Sequence, residues 1–479
     1  MTLRTRVGLL ITRRICVALL LLAGLTGTAQ TARRPRYGGI LRLQTEVSLL
    51  GLYPAQWRPS SAEGSIQEKI FPLVFEGLTR FDGRGRIAPC LATSWKRAAD
   101  QNVWEFALRQ DVRFHDGTRL TVGLAAAALG SVYRRGKVEA VGEKIVVRTL
   151  EGIATLPEEL ALPGYGITYR DPGGALLGTG PFQVNSWTPG RELQLGAFEE
   201  HWEGRPFLDG VQLLMGRSPR EQRIDLELGK ADVVEAKEST LHRESPRPWT
   251  LCSSASVELL ALIFDRDAAG GRQRSLREAL ALSIGRTEIQ RVLLRGEGQP
   301  AGSLLPEWLS GYAFLFNSDR DAARARQLVA GASQVSTLSL AYDSSDALAR
   351  IVAERVAVDA RQAGLLIRPV APAPSGPTPE IRMVRLRISA PLPELAIARL
   401  AEVLDRPIQD SVDPERPESL YQAESALLEG YWVIPLIHLP EIHAVGNRVA
   451  NWPGEGTVPL FGWKLATVWL TQPRPGPAQ

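Results

Sequence analysis

Cysteine, histidine and methionine are scarce in this chain: three, five and three among 479 residues. So few cysteines exclude a disulfide-stapled scaffold. Past the N-terminal segment only Cys90 and Cys252 remain, enough for one disulfide or two separate thiols. The histidines offer little to a metal. His438 and His443 lie close in sequence, but an offset of five turns them to opposite faces of a regular strand. No Gly-x-Ser-x-Gly elbow, no His-Glu-x-x-His helix and no phosphate-binding loop occurs. Gly296-Glu297-Gly298 is glycine-rich, yet no strand precedes it and no Lys-Ser/Thr follows. His115-Asp116 sits in a turn with no nucleophile nearby, which leaves a catalytic dyad unsupported. An enzyme is therefore not expected, and neither is a cofactor or a resident metal.

Charge of one sign is missing as well. Of 56 basic residues, Arg4, Arg6, Arg13 and Arg14 lie in the first 29 positions, leaving 52 against 52 acidic ones. A balanced remainder gives nucleic acid nothing to bind. Long apolar runs are absent too. Ile15–Leu25 is the N-terminal candidate, and it falls short of the roughly 20 residues that a membrane span needs. With the basic flank Met1–Arg14 before it and Gly27-Thr28-Ala29 after it, this segment reads as a secretory signal peptide cleaved after Ala29. An uncleaved anchor is the alternative. Thr12-Arg13-Arg14 is followed by Cys16 and Val17, a poor continuation for twin-arginine export, and Cys16 lacks the flank of a lipoprotein.

Apolar residues make up 44% of the chain and charged ones 23%, as in globular proteins, and the length calls for two or three lobes. The most informative stretch is Phe71–Gly117. A helix-like piece with Leu73, Val74 and Leu78 leads into a strand at Thr79–Phe81 and a turn at Asp82-Gly83. Val103–Leu108 alternates as a strand does, with Trp104, Phe106 and Leu108 on one face. His115-Asp116-Gly117 forms another turn, and Thr121 is placed to cap the next helix. Farther on, Gly178-Thr179-Gly180-Pro181 turns into a hairpin over Phe182–Ser186 and Glu192–Phe198. Val257–Asp265 reads as a buried strand. Leu338–Tyr342, Asp346–Gln362 and Leu365–Val370 form a βαβ unit, with Gly364 ending the helix. Ala371–Pro379 is a proline-rich link, Ile381–Ile388 a strand, Tyr421–Leu428 a helix and Tyr431–Leu436 a return strand.

Several of these pieces together resemble the family 5 extracellular solute-binding proteins, the receptors of ABC importers for peptides, nickel complexes and other solutes. They are Phe75-Glu76-Gly77-Leu78, Pro89 with Leu91-Ala92-Thr93-Ser94-Trp95, and Val112-Arg113-Phe114-His115-Asp116-Gly117-Thr118. Gly178–Phe182, His201-Trp202-Glu203-Gly204-Arg205-Pro206 and Leu228–Asp232 continue the pattern. The resemblance implies an α/β fold of two lobes: a type II-like, cluster C periplasmic binding protein with an extra N-terminal subdomain and a hinge of crossing strands. Lobe I would comprise residues 30–51, 178–264 and 433–479, with 52–177 as the added subdomain, and lobe II residues 265–432. Placing Cys90 and Cys252 in different parts of such a molecule favours two separate thiols. The implied function is a monomeric periplasmic receptor that closes on a solute, a peptide or peptide-like one, and hands it to permease subunits in the inner membrane. A sensor or scaffold derived from such a receptor is the alternative.

By alignment of the local motifs, Tyr53, Trp57, Glu76, Asp265 and Trp432 are expected near the cleft. The chain also departs from the family. Val122-Gly123-Leu124 replaces an acidic helix start, and Gly285 replaces a usual Asp. No counterpart of the Trp- and Asp-containing segment that holds a peptide's amino terminus appears between Arg387 and Asp413. Peptides with free amino termini are accordingly expected to bind poorly.

Overall fold

The computed structural model describes residues 34–59, 61–100, 102–150, 152–236, 249–268, 273–312, 315–332, 336–371, 378–406, 408, 412–413, 416–453 and 462–471. The signal segment and most of the proline-rich link lie outside them. Tyr37 onward forms one compact unit. Among the described residues the largest element is a mixed sheet of eleven strands. It contains β1 (Ile40–Gln44), and helix α1 (Ala62–Val74) follows that strand in the chain. A separate four-stranded antiparallel sheet comprises β2 (Ala92–Arg97), β3 (Val103–Leu108), β4 (Gly136–Val141) and β5 (Lys144–Thr149), with helix α2 (Val122–Val132) against it. The large sheet continues with β6 (Phe182–Thr188), β7 (Glu192–Ala197), β8 (Gly210–Leu214), β9 (Val233–Glu235) and β10 (Trp249–Phe264). Then come β11 (Leu338–Ala341), helix α3 (Ala347–Gln362), β12 (Ile367–Val370), β13 (Ile381–Arg387), helix α4 (Pro393–Val403) and β14 (Val433–Gly446). Ten of its strands run in the order β6-β7-β8-β1-β9-β14-β10-β13-β11-β12, and the eleventh, the two-residue strand Gln299–Pro300, pairs with β14 off this path.

The long strands β10 and β14 pair antiparallel in the middle of the sheet, with separate core clusters toward their two ends. Both strands are buried on each face over much of their length, which is why Val257–Phe264 is almost continuously apolar. Residues from Val257 onward in β10, and up to Leu439 in β14, pack into two clusters with residues of α3 and α4. The other ends of both strands pack with lobe I residues such as Leu226 and Val234, or Val233 and Leu41. Between them the pairing slips, with register shifts between Ser253 and Ser256 and between Ser256 and Glu258. Such irregular pairing is where a sheet bends most easily.

The local motifs have plain physical reasons. A Cβ at Gly178 would come within 1.8 Å of the Val74 carbonyl oxygen, and one at Gly180 within 2.4 Å of that of Leu73. Without side chains there, the Gly180 N–H donates to Val74 O at 3.0 Å and satisfies the end of α1. Thr121 caps α2 by accepting from the Leu124 N–H. Gly117 and Gly364 take positive φ at their turns. The Asp82 turn is wider than expected. The Asp82 carboxylate accepts from the N–H groups of Arg84 and Arg86, so the reversal spans five residues, and the positive φ falls on Gly85 instead of Gly83. At Gly285 a Cβ would stand 2.4 Å from Glu288 Oε2 and 3.4 Å from Asp359 Oδ2. The fully buried Asp359 carboxylate accepts the Gly285 N–H, so an acid of α3 stands beside the place that a side chain at 285 would take. Cys90 is a buried free thiol, so no disulfide joins it to Cys252.

Candidate functional site

The parallel strands β1 and β9 of lobe I and β11 and β13 of lobe II end toward one crevice. Ligands of open α/β sheets collect outside such carboxyl ends. Here the crevice is a cavity of about 390 Å³, walled by Glu46 after β1, Glu235 at the end of β9, Asp343 after β11, and Arg385 and Arg387 of β13. The N-terminal turn of α1 supplies Ser61 and Ser65, and β10 and β14 supply its floor through Glu258 and Glu441.

Charge crowds this floor. Arg387 donates from Nε and Nη2 to Glu68 of α1 at 3.0 and 2.7 Å, and from Nη1 to Glu441 at 2.7 Å. Glu258, directly opposite Arg387 on the neighbouring strand, lies 3.7 Å away. Lys69 meets Glu441 at 2.8 Å. Arg385 binds Glu258 and also Asp346, which caps α3 through the N–H groups of Leu348 and Ala349. Arg387 of β13 thus reaches Glu68 of α1 in a nearly water-free setting, with side-chain exposures of 6% and 1%. Burial drives Glu68 upward by more than the Arg387 charge draws it down. At Glu441 burial also acts upward, but Lys69 and Arg387 outweigh it and hold the carboxyl well below the usual range. At Arg387 burial works downward and is overcome by Glu68, Glu441 and Glu258.

The cavity wall carries six carboxylates, Glu46, Glu235, Glu258, Asp343, Asp346 and Glu441, against the three cations Lys69, Arg385 and Arg387. Glu235 is held ready: it accepts from Thr45 Oγ1 at 2.8 Å and from the Glu46 N–H at 2.9 Å. No cation among the described residues pairs with it. Acids near the cleft are therefore plentiful, which removes the ground for expecting weak binding of free amino termini. Sequence reasoning missed them because they come from segments far apart in the chain. One signal was available: Glu258 and Glu441 are lone charges in apolar strands, and a buried charge needs a partner.

None of the five residues expected near the cleft lines this cavity. Glu76 is buried within lobe I, accepting from Thr179 Oγ1 and Trp202 Nε1 at 2.9 Å each, with His201 Nε2 at 3.2 Å. It ties the Phe75–Leu78, Gly178–Phe182 and His201–Pro206 motifs into one knot. Asp265 and Trp432 stand at the far end of the crossing strands. Asp265 lies seven residues beyond Glu258, roughly 23 Å at 3.3 Å per strand residue. Its carboxylate accepts from the Asp267 N–H, and the Trp432 ring lies under Arg277 at 3.7 Å and Arg266 at 5.6 Å. Tyr53 lies under the Arg170 guanidinium, 5.8 Å from its ring centre. Trp57, four residues before the α1 cap, packs across the lobes against Arg399 of α4, 4.8 Å from the ring centre. That helix fills the interval between Arg387 and Asp413 in which no family counterpart was found.

His115 is structural: the Gly178 N–H lies 3.3 Å from Nδ1, and Nε2 lies 3.1 Å from Gly180 O. Among the described residues no group of three or more His, Cys, Asp or Glu is arranged to hold a metal, and no helix is long and apolar enough to cross a membrane.

The model of the bacterial extracellular solute-binding proteins, family 5 Middle, matches residues 86–373. The nickel-binding protein NikA of Staphylococcus aureus (strain NCTC 8325 / PS 47) is 24% identical over 243 residues, 48% of this chain and 49% of that protein. The probable D,D-dipeptide-binding periplasmic protein DdpA of Escherichia coli (strain K12) is 26% identical over 267 residues, 49% of this chain and 51% of that protein. The chain thus spans about half the length of these curated relatives. Solved structures align almost throughout. NikZ of Campylobacter jejuni in complex with Ni(L-His) superposes with a TM-score of 0.75 at 18% identity, covering 90% of this chain and 99% of the other. The oligopeptide-binding protein AppA of Bacillus subtilis, in complex with a nonapeptide, gives 0.69 at 15%, covering 92% and 100%. With a two-lobed α/β fold, a crevice between the lobes and a family match over more than half its length, this chain belongs to the family 5 bacterial extracellular solute-binding proteins.

Proposed function

We propose that this protein is the periplasmic solute receptor of an ABC importer, exported by a signal peptide cleaved after Ala29. On this reading its solute is a peptide or peptide-like molecule carrying an ammonium group. The observation that carries the reading is the interlobe crevice, where Glu235 is oriented by two hydrogen bonds and has no cation partner among the described residues. An unpaired carboxylate in a closing cleft is costly, and an ammonium group on the solute relieves that cost. A wall rich in acids repels polyanions by the same logic. Relatives named for dipeptides and for nickel, and structures holding a peptide and a nickel complex, support a small solute of this kind.

The proposed lobe limits remain 264/265 and 432/433, with 52–177 as the added subdomain. The slipped pairing at Ser253–Glu258 supports a hinge nearer the middle of the crossing strands. Calorimetry tests the solute class. Native mass spectrometry of protein taken from its own periplasm first identifies a bound peptide, which is then compared with its N-acetylated form. We expect at least tenfold weaker binding of the acetylated form, about 1.4 kcal/mol or more, and the same loss for the free form on Glu235→Gln. Equal affinity of the two forms would remove the ammonium from the reading.

A further inference from the structure

A second cavity, of about 750 Å³, shares no wall residue with the crevice. It lies where the end of α1 meets the two-stranded sheet of Thr79–Phe81 and Ile87–Pro89 and the helical turn Leu465–Thr467. Leu73, Phe75, Phe81, Leu162, Trp463 and Leu465 line it, and all six are buried. Protein interiors are densely packed, with few voids larger than a water molecule. A deep pocket with such a wall therefore leaves apolar surface for a ligand to cover. Its volume falls within the roughly 300–1,000 Å³ of small-molecule sites.

The charged groups on this wall set the sign of that ligand. Its acids are Glu76, Asp82 and Glu203, and each is engaged. Glu76 holds Thr179, Trp202 and His201, and Asp82 accepts the N–H groups of Arg84 and Arg86. Glu203 takes both terminal nitrogens of Arg80, at 2.7 and 2.6 Å. Arg205 is bound to Glu199 and Asp209. Lys464 differs: among the described residues its ammonium has no hydrogen bond or ion pair. It is an exposed residue, so it stands at the mouth of the cavity. Partial burial and the Arg80 charge lower its pKa, with Asp82 and Glu203 acting the other way. A cation without a partner above an apolar wall suits one anionic head on an apolar body. The nearby Asp82 and Glu203 favour a single negative charge over a double one. Phe75, Phe81 and Trp463 offer ring faces and edges to an aromatic body. We propose that this cavity is a second binding site, for a small aromatic monocarboxylate with its carboxylate at Lys464 and its ring against Phe75 and Trp463. The site does not depend on reading the crevice as the solute site.

Phenylbutyrate serves as the probe, titrated into the protein by calorimetry, with phenylbutanol as its neutral match. The expected result is saturable binding of both, the acid tighter by about threefold, the scale of an exposed charge pair. Lys464→Gln should remove that preference and Lys464→Arg should keep it. Ala88→Trp and Ala161→Phe add bulk at two places on the wall and should each weaken both probes about tenfold or more. Glu235→Gln, in the crevice, should leave both probes unchanged. Absence of saturable binding would mean that the cavity takes only water, and the site falls. Full binding in both bulky variants, or binding lost on Glu235→Gln, would place the probe elsewhere, and the site falls again. Equal affinity for acid and alcohol, or a preference that survives Lys464→Gln, would overturn the assignment to a carboxylate. Circular dichroism on each variant separates lost binding from lost folding. If a bulky variant does not fold, displacement decides: a solute extracted with the protein and bound in the crevice should leave the probe in place, and its release would overturn the second site.

Discussion

At the scale of single residues, the buried His438 and His443 and the half-buried His115 should make stability sensitive to acid. Burial lowers His115, His438 and His443 from 6.5 to about 4 each. A group whose pKa is depressed on folding contributes stability that is complete above the unfolded value and lost as the pH falls toward the folded one. For these histidines the window runs from about 6.5 down to about 4. Between pH 7.5 and 5 each should forfeit about 2 kcal/mol, since 1.5 units at 1.36 kcal/mol per unit is near that figure. His115→Gln isolates one share, because Gln stays neutral throughout. Urea unfolding of wild type and variant at both pH values should show their stability difference shifting by about 2 kcal/mol in favour of the variant at pH 5. Parallel profiles would mean that His115 is protonated as readily in the folded protein as in the unfolded chain.

At the scale of elements, the cross-lobe charge cluster tests how β13 and α1 depend on each other. Arg387→Met leaves Glu68 and Glu441 buried with less compensation, and removing one partner of a buried pair typically costs about 3–5 kcal/mol. The double variant Arg387→Met/Glu68→Gln should recover much of that loss in urea unfolding. A single-variant loss below about 1 kcal/mol would put the cluster in the class of solvated surface pairs. The elements themselves were largely legible in the sequence. Strands such as Val103–Leu108 and Ile381–Arg387, the βαβ unit around α3 and the Thr121 cap are local patterns that period and turn chemistry reveal. The cavity was not legible. Its acids at 46, 235, 258, 343, 346 and 441 meet only because parallel strands from distant parts of the chain end at one crevice, and no periodicity spans such separations. The familiar motif around Glu76 drew attention to a structural knot, while α4 occupied an interval where a family pattern was sought and absent.

At the scale of the whole molecule, the Glu68–Arg387 contact bears on what a solute must do. A solute shifts an open–closed balance only by the difference of its affinities for the two states. A charge pair made only in the closed state would favour closure before any solute arrives, and the empty wild type should then scatter X-rays as a comparatively compact particle. Glu68→Gln weakens the latch with little change of shape. The empty variant should then show a larger radius of gyration than the empty wild type, and saturating native solute should bring both to the same smaller value. The cost appears in affinity: wild type, already biased toward closure, should bind the solute more tightly than Glu68→Gln by the ratio of their closed fractions. Because Arg387 and Glu68 are almost fully shielded from solvent, moderate salt should change this ratio little, unlike an exposed pair. One profile for both proteins, with and without solute, would describe a rigid body. That result would favour the sensor or scaffold over the receptor, because delivery to a permease needs two states that the solute can tell apart.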